Sequence, residues 1–202
     1  MDGYSIVLLR DMIDELGENE TQKILSQFSC PLNKDVESFL HNSAIELAKQ
    51  SVSATHLVFS SHKNSLFIVG YFTLANKNII VSNNSTISKT QRKRINKFGT
   101  YDPDRKGHRI SAPLIAQLGK NYSNGYNKLI SGDELLLIAC KKVSQVQELI
   151  GGKIVYLECE DKPSLIDFYG SNGFVSFGQR ELDLDEQEVL SGHYLIQMLR
   201  YL

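Results

Sequence analysis

Few side chains able to do chemistry stand out in this chain of 202 residues, and they are unevenly placed. Tyr169 follows Phe168 near the end of a short helical stretch that begins at Lys162-Pro163, and it precedes a turn from Gly170 to Gly173. A phenol, with a pKa near about 10, can give a proton to a strong base such as a thiolate but is poor at taking one from an ammonium. The same tyrosine could equally be a core aromatic at a helix end. Glu158 and Glu160 flank Cys159, sharing one strand face at i, i+2 spacing. They fall at the strand's C-terminal end, where α/β sites form. They offer a general base or, as the simpler expectation, a solvated acidic rim. His41, His56, His62, His108 and His193 are isolated, as expected of surface or core residues. Cys30, Cys140 and Cys159 are odd in number and scattered, without zinc-site spacing, which predicts reduced thiols and no metal.

The second chemical feature is a run of cations. Lys89, Arg92, Lys93, Arg94, Lys97, Arg105, Lys106 and Arg109 face only Asp102 and Asp104 between positions 89 and 109. The segment therefore carries +6 in a chain whose formal net charge is −1. Such asymmetry marks a surface for a polyanion. Phosphate contacts from Arg92, Lys93, Arg94, Lys97, Arg105 and Lys106 would bind nucleic acid in a salt-dependent, largely sequence-blind way. Phe98 and Tyr101 could stack on exposed bases. A solvated loop is the alternative.

The elements that must position these groups can be read from periodicity. Tyr4 to Leu9 is a strand; Asp11 to Leu16 and Thr21 to Phe28 are short helices. Lys34 to Gln50 is an amphipathic helix with Asn33 as its N-cap. Thr55 to Ser60 and Ser65 to Ala75 form a β-hairpin around Ser61-His-Lys-Asn64. Residues 79–109 read as a polar, basic insert. Ala112 to Leu118 is a strand, Lys120 to Asn127 a polar loop, and Leu129 to Leu149 a helix stopped by Gly151-Gly152. A strand at Lys153 to Cys159, a helix, a strand from Phe174 and a last strand over His193 to Leu202 complete a mixed sheet with helices on both faces. Composition fits one soluble domain spanning 1–202: 42% of residues are hydrophobic and 22% charged, and no apolar run approaches a membrane span. The N-terminus lacks the pattern of an export signal, so the expected location is the cytoplasm.

Five segments in order carry a resemblance. They are Phe28-Ser-Cys-Pro31 leading into Asp35-Val-Glu-Ser-Phe-Leu40; Gly70-Tyr-Phe-Thr-Leu74; Leu114-Ile-Ala-Gln-Leu-Gly119; Ile150-Gly-Gly-Lys-Ile-Val-Tyr156; and Phe168-Tyr-Gly-Ser-Asn-Gly-Phe174. Together they resemble the GNAT superfamily of N-acetyltransferases, and within it the toxins of bacterial toxin–antitoxin pairs that acetylate aminoacyl-tRNA. The resemblance implies an α/β (α+β) fold with a mostly antiparallel sheet and one splayed parallel strand pair. It implies acetyl-CoA as cofactor, an amine acceptor, and tRNA, an antitoxin and a second copy of the chain as partners. By the same resemblance the main chain of Leu118, Gly119 and Lys120 pairs with the pantetheine arm. Asn127, Lys128, Leu129, Ile130, Ser131 and Gly132 cradle the pyrophosphate, and Tyr169 protonates the departing thiolate. The sequence departs from the family at that cradle. Of its glycine-rich pattern only Gly132 is kept, and Ile130 places a branched side chain where a small one is expected. A scaffold that has lost the cofactor and serves as a non-catalytic nucleic-acid-binding or interaction module is the alternative.

Overall fold

Runs rich in Val, Ile, Phe and Tyr alternate with helical stretches, and these runs become the strands of one sheet. The computed structural model describes residues 3–62, 65–184, 187, 190 and 192–202. Its elements are β1 (Tyr4–Leu8), α1 (Leu9–Leu16), α2 (Glu18–Leu25), α3 (Lys34–Asn42), α4 (Ala44–Lys49), β2 (Ala54–His62), β3 (Ser65–Ser82), α5 (Lys89–Ile95), β4 (Gly99–Asp102), β5 (Gly107–Lys120), α6 (Gly132–Ile150), β6 (Ile154–Glu160), α7 (Pro163–Ser171), β7 (Val175–Glu181) and β8 (Tyr194–Tyr201). The strand order is β1-β2-β3-β5-β6-β8-β7, with β4 paired to β5. The sheet is mostly antiparallel and contains one parallel pair, β5 with β6, at Leu114↔Tyr156 and Ile115↔Leu157. Both strands run on past those residues, β5 to Lys120 and β6 to Glu160. No described helix is long and apolar enough to cross a membrane.

The chain divides into two compact units, Met1–Ala75 with Ala116–Ala139, and Asn76–Ile115 with Cys140–Leu202. In the first, Leu9, Leu25, Phe28, Leu40, Ala44, Leu57 and Tyr71 join helices α1 to α4 to the β2–β3 hairpin in one buried cluster. Tyr71 thus faces α1 to α4. Its neighbour Gly70 must face the other way, and there it meets Leu135 of α6. Helices therefore cover both faces. Asn33 caps α3 as expected, its side chain accepting from the N–H groups of Asp35 and Val36. The expected single helix over 34–50 is broken at Ser43, where φ is −121°. The break falls at the pair Asn42-Ser43, two residues of low helix propensity. The tip of the hairpin, 63–64, lies outside the described residues, as does the side chain of His62.

The second unit corrects the view of 79–109 as an insert. Residues 79–82 complete β3, and Gly107 to Arg109 begin β5. Between them Ile87 and Ile95 anchor α5 in a cluster with Ile79, Val81, Ile110, Ala112, Ile154 and Phe177. Sparse but regularly buried isoleucines were enough to fold a segment whose average composition is polar. A full capping box starts α5: the Ser88 side chain accepts from the Gln91 N–H, and Gln91 accepts from the Ser88 N–H.

Candidate active site

In the first unit the C-terminal end of β5 leads into the expected cofactor residues. A Cβ on Gly119 would lie 2.4 Å from Val36 Cγ1, and one on Gly70 would lie 2.9 Å from the Gly119 carbonyl oxygen. Glycine at both positions is a packing requirement of this thin part of the sheet. Beyond Leu118, the Lys120 ammonium donates to the Asn127 carbonyl at 3.1 Å. The Tyr4 hydroxyl donates to the Leu129 carbonyl at 2.9 Å. Ile130 is only 2% exposed, so its branched side chain serves the core and does not stand in the cradle. Lys128 is exposed. Ser131 is the N-cap of α6, its hydroxyl accepting from the Glu134 N–H at 3.1 Å. The Glu134 carboxylate in turn accepts from the Ser131 N–H at 2.8 Å. These bonds hold the Glu134 carboxyl below its usual range. What the loop leaves open to an anion is the small Gly132 and the exposed Lys128 ammonium. Against it stands a competing anion, Glu134, already seated on one of the loop's amides.

In the second unit α7 begins with Pro163 at its first position and ends in a Schellman motif. The Phe174 N–H bonds the Tyr169 carbonyl at 3.0 Å and the Gly173 N–H bonds the Gly170 carbonyl at 3.0 Å. Gly173 takes the left-handed φ of +81° that this motif needs. The ring of Phe174 lies edge-on to Tyr169 with centroids 5.9 Å apart, and Phe168 does so from 5.0 Å. These contacts fix the ring of Tyr169, which is half-buried. Its hydroxyl makes no hydrogen bond among the described residues. Burial, and behind it the nearby Cys159, pushes its phenol up, so it is a neutral proton donor at neutral pH. Burial likewise raises Cys159 to about 11, which keeps that thiol inert. All three cysteines are free and buried.

The expected acidic rim at the end of β6 is not solvated. Glu158 accepts from Arg180 Nε at 2.7 Å and from Gln197 at 2.8 Å. Glu160 accepts from Lys162 at 2.7 Å. Two half-buried ion pairs thus replace two water-facing carboxylates.

The cationic segment separates into structural and exposed members. The Arg92 guanidinium donates to the carbonyls of Asn83, Ser85 and Ile87, closing the turn before α5. Arg109 pairs with Asp102 at 2.8 Å. Lys93, Arg94, Lys97, Arg105 and Lys106 are exposed. Arg94 lies 4.2 Å above the ring of Tyr201, and Phe98 meets the same ring edge-on at 5.9 Å. Tyr201 was not anticipated as part of this patch; it sits more than 100 residues from Arg94 in sequence, and only pairing of the last strand brings it there. Asn121 was also missed. It is 2% exposed and accepts from the N–H groups of Ser29 and Ser123 while donating to the Ile68 carbonyl. A lone polar residue after a strand gives no sequence signal of such a role.

No family model and no curated protein matches the chain. Solved structures do. A tyrosine-to-phenylalanine mutant of KacT is 15% identical, with a TM-score of 0.62 over 96% of this chain and 94% of its own. AtaT complexed with acetyl-methionyl-tRNAfMet is 16% identical, with a TM-score of 0.60 over 96% and 93%. A mutant AtaT toxin bound to acetyl-CoA and the C-terminus of the antitoxin AtaR is 14% identical, with a TM-score of 0.57 over 99% and 94%. At these identities the likeness is one of fold: the chain has the GNAT-like mixed sheet of these toxin structures.

Proposed function

We propose that the protein is an acetyl-CoA-dependent N-acetyltransferase whose acceptor is a primary amine, that of an aminoacyl-tRNA. The observation that carries this reading is Tyr169, a fixed, neutral phenol with its hydroxyl unengaged, on a fold shared with AtaT over nearly the whole chain. Leu118, Gly119 and Lys120 would hold the pantetheine arm by main-chain bonds; Asn127 to Gly132, with the Lys128 ammonium, would hold the pyrophosphate. When bound, acetyl-CoA supplies the activated acetyl group. Tyr169 holds a proton at its hydroxyl and delivers it to the departing sulfur. Glu158 and Glu160 are engaged by Arg180 and Lys162, so neither is assigned the amine's proton. An acceptor amine of low pKa, such as the α-amine of an aminoacyl ester, is already neutral when it attacks. As the C–N bond forms and the C–S bond breaks, the proton it sheds would pass to water, and Tyr169 would regain its own proton from solvent. The exposed Lys93, Arg94, Lys97, Arg105 and Lys106 would contact RNA phosphates; Arg92 would support them from within. An antitoxin and a second copy of the chain are the expected protein partners, and the cytoplasm the expected place.

Calorimetry tests the enzyme reading: micromolar binding of acetyl-CoA is expected, and no binding would reject it. tRNA retention should fall steeply with salt, and neutralising Lys93, Arg94 and Lys97 should flatten that slope; an unchanged slope would remove the patch. A second reading, a non-catalytic nucleic-acid-binding scaffold, draws on the Ser131–Glu134 box that occupies the cradle. It predicts RNA retention with no acetyl transfer.

A further inference from the structure

A groove of about 680 Å³ lies in the first unit, and the acetyl-transfer reading does not use it. Its walls include Phe59, Leu66, Phe67 and Tyr126, over a floor of Phe28 and Asn121; none of the described residues that line it is charged. The rings of Phe67 and Tyr126 stack with centroids 4.6 Å apart and an interplanar angle of 23°. On the rim the side chains of Gln27, Ser123 and Asn124 make no hydrogen bond among the described residues. The loop that presents Tyr126 is built to hold one shape. Asn124 and Gly125 take left-handed φ values of 52° and 76° in succession. Asn is among the few residues with a Cβ that adopt this conformation readily, and the buried Asn121 holds the start of the loop through the Ser123 N–H, with further bonds to Ser29 and Ile68.

A neutral groove with a ready ring stack and free amides at its edge suits a flat, uncharged heterocycle. Rings supply stacking, and Asn or Gln side chains match the donor and acceptor edge of adenine. The position of Tyr126 narrows the choice further, since it directly precedes Asn127 to Gly132, the proposed phosphate cradle. We infer that this groove seats an adenine base, stacked on the Phe67–Tyr126 pair, belonging to a nucleotide whose phosphates lie on the adjoining loop. The choice of adenine rests on the proposed function, which supplies two sources: coenzyme A itself and the 3′-terminal adenosine of an acceptor RNA.

The test compares wild type, Tyr126→Ala and Tyr126→Phe by calorimetry. The probes are coenzyme A, 4′-phosphopantetheine, adenosine 3′,5′-bisphosphate and a short RNA ending in CCA; thermal melts check folding. Tyr126→Ala is expected to weaken coenzyme A and the bisphosphate about tenfold, from the loss of one stacked base. It should leave 4′-phosphopantetheine unchanged, and Tyr126→Phe should behave as wild type. A tenfold loss for the RNA alone assigns the adenine to RNA. Equal affinities in wild type and Tyr126→Ala for every adenine-bearing probe overturn the proposal, as does a wild type that binds none of them. If the bisphosphate binds through Tyr126 while acetyl-CoA never donates its acetyl group, the groove stands and the transferase reading falls.

Discussion

The end of α7 and the start of α6 are both helix caps; the first coincides with a motif that carries the functional resemblance, the second with the loop where the sequence departs from it. They differ in what the cap leaves over. At α7 the Schellman motif uses only the main chain of Tyr169, Gly170, Gly173 and Phe174. The phenol is oriented by its cap and remains chemically available. At α6 the capping box uses the groups a phosphate would want: the Ser131 N–H is taken by Glu134, and the Ser131 hydroxyl by the Glu134 N–H. One motif is stabilised without spending its chemistry; the other is stabilised by spending it.

The largest effect should come from Tyr169→Phe. Losing a positioned proton donor is expected to cut acetyl transfer by about 10² to 10⁴-fold, with little change in melting temperature or in acetyl-CoA affinity. Single-turnover rates and calorimetry measure the two sides, and equal rates would make α7's end purely structural. Next comes Gly173→Ala, which forces a Cβ into a left-handed φ and should cost about 1–2 kcal/mol by denaturant unfolding. Its activity should fall too, because the same motif aims Tyr169. Ser131→Ala at the other cap should cost about 1 kcal/mol. Glu134→Gln should have the smallest effect and the opposite sign on binding. Removing the competing charge should tighten acetyl-CoA about threefold, the scale of a charge near a helix N-terminus; weaker binding would mean Glu134 helps the cofactor.

A pH experiment extends the contrast to a carboxylate that only holds structure. Glu37 accepts from the Cys30 N–H at 2.6 Å and from the Ser29 hydroxyl at 3.0 Å, and the Cys30 bond chiefly lowers its pKa. A group whose folded pKa is depressed adds stability above its unfolded pKa and loses it as pH falls through the folded value. Unfolding free energy should therefore decline as the solution is acidified below the ordinary glutamate range. Glu37→Gln should flatten that decline.

Much of the architecture was legible because it is local. Asn33 announced the start of α3, and Gly151-Gly152 followed the end of α6. The hairpin and β6 showed through their β-branched residues. The segment 79–109 was not legible as folded structure, because its burial rests on isoleucines spaced across three elements rather than on a run. The break at Ser43 was hidden for a similar reason: the apolar spacing of α3 and α4 is continuous even though the backbone is not.

The sequence by itself determined most helices and strands outside 79–109, the cap at Asn33 and the stop at Gly151-Gly152, and that Tyr169 stands near a helix end before a glycine-bounded turn. These depend on neighbours within a few residues. Tertiary structure alone decided that Glu158 is bound to Arg180, that Arg92 supports a turn from within, that Arg94 meets Tyr201, and that Phe67 stacks on Tyr126. Each of these partners is distant in the chain or chosen from several equivalents. Whether a charge is spent or a ring is free is settled only when packing brings the two together.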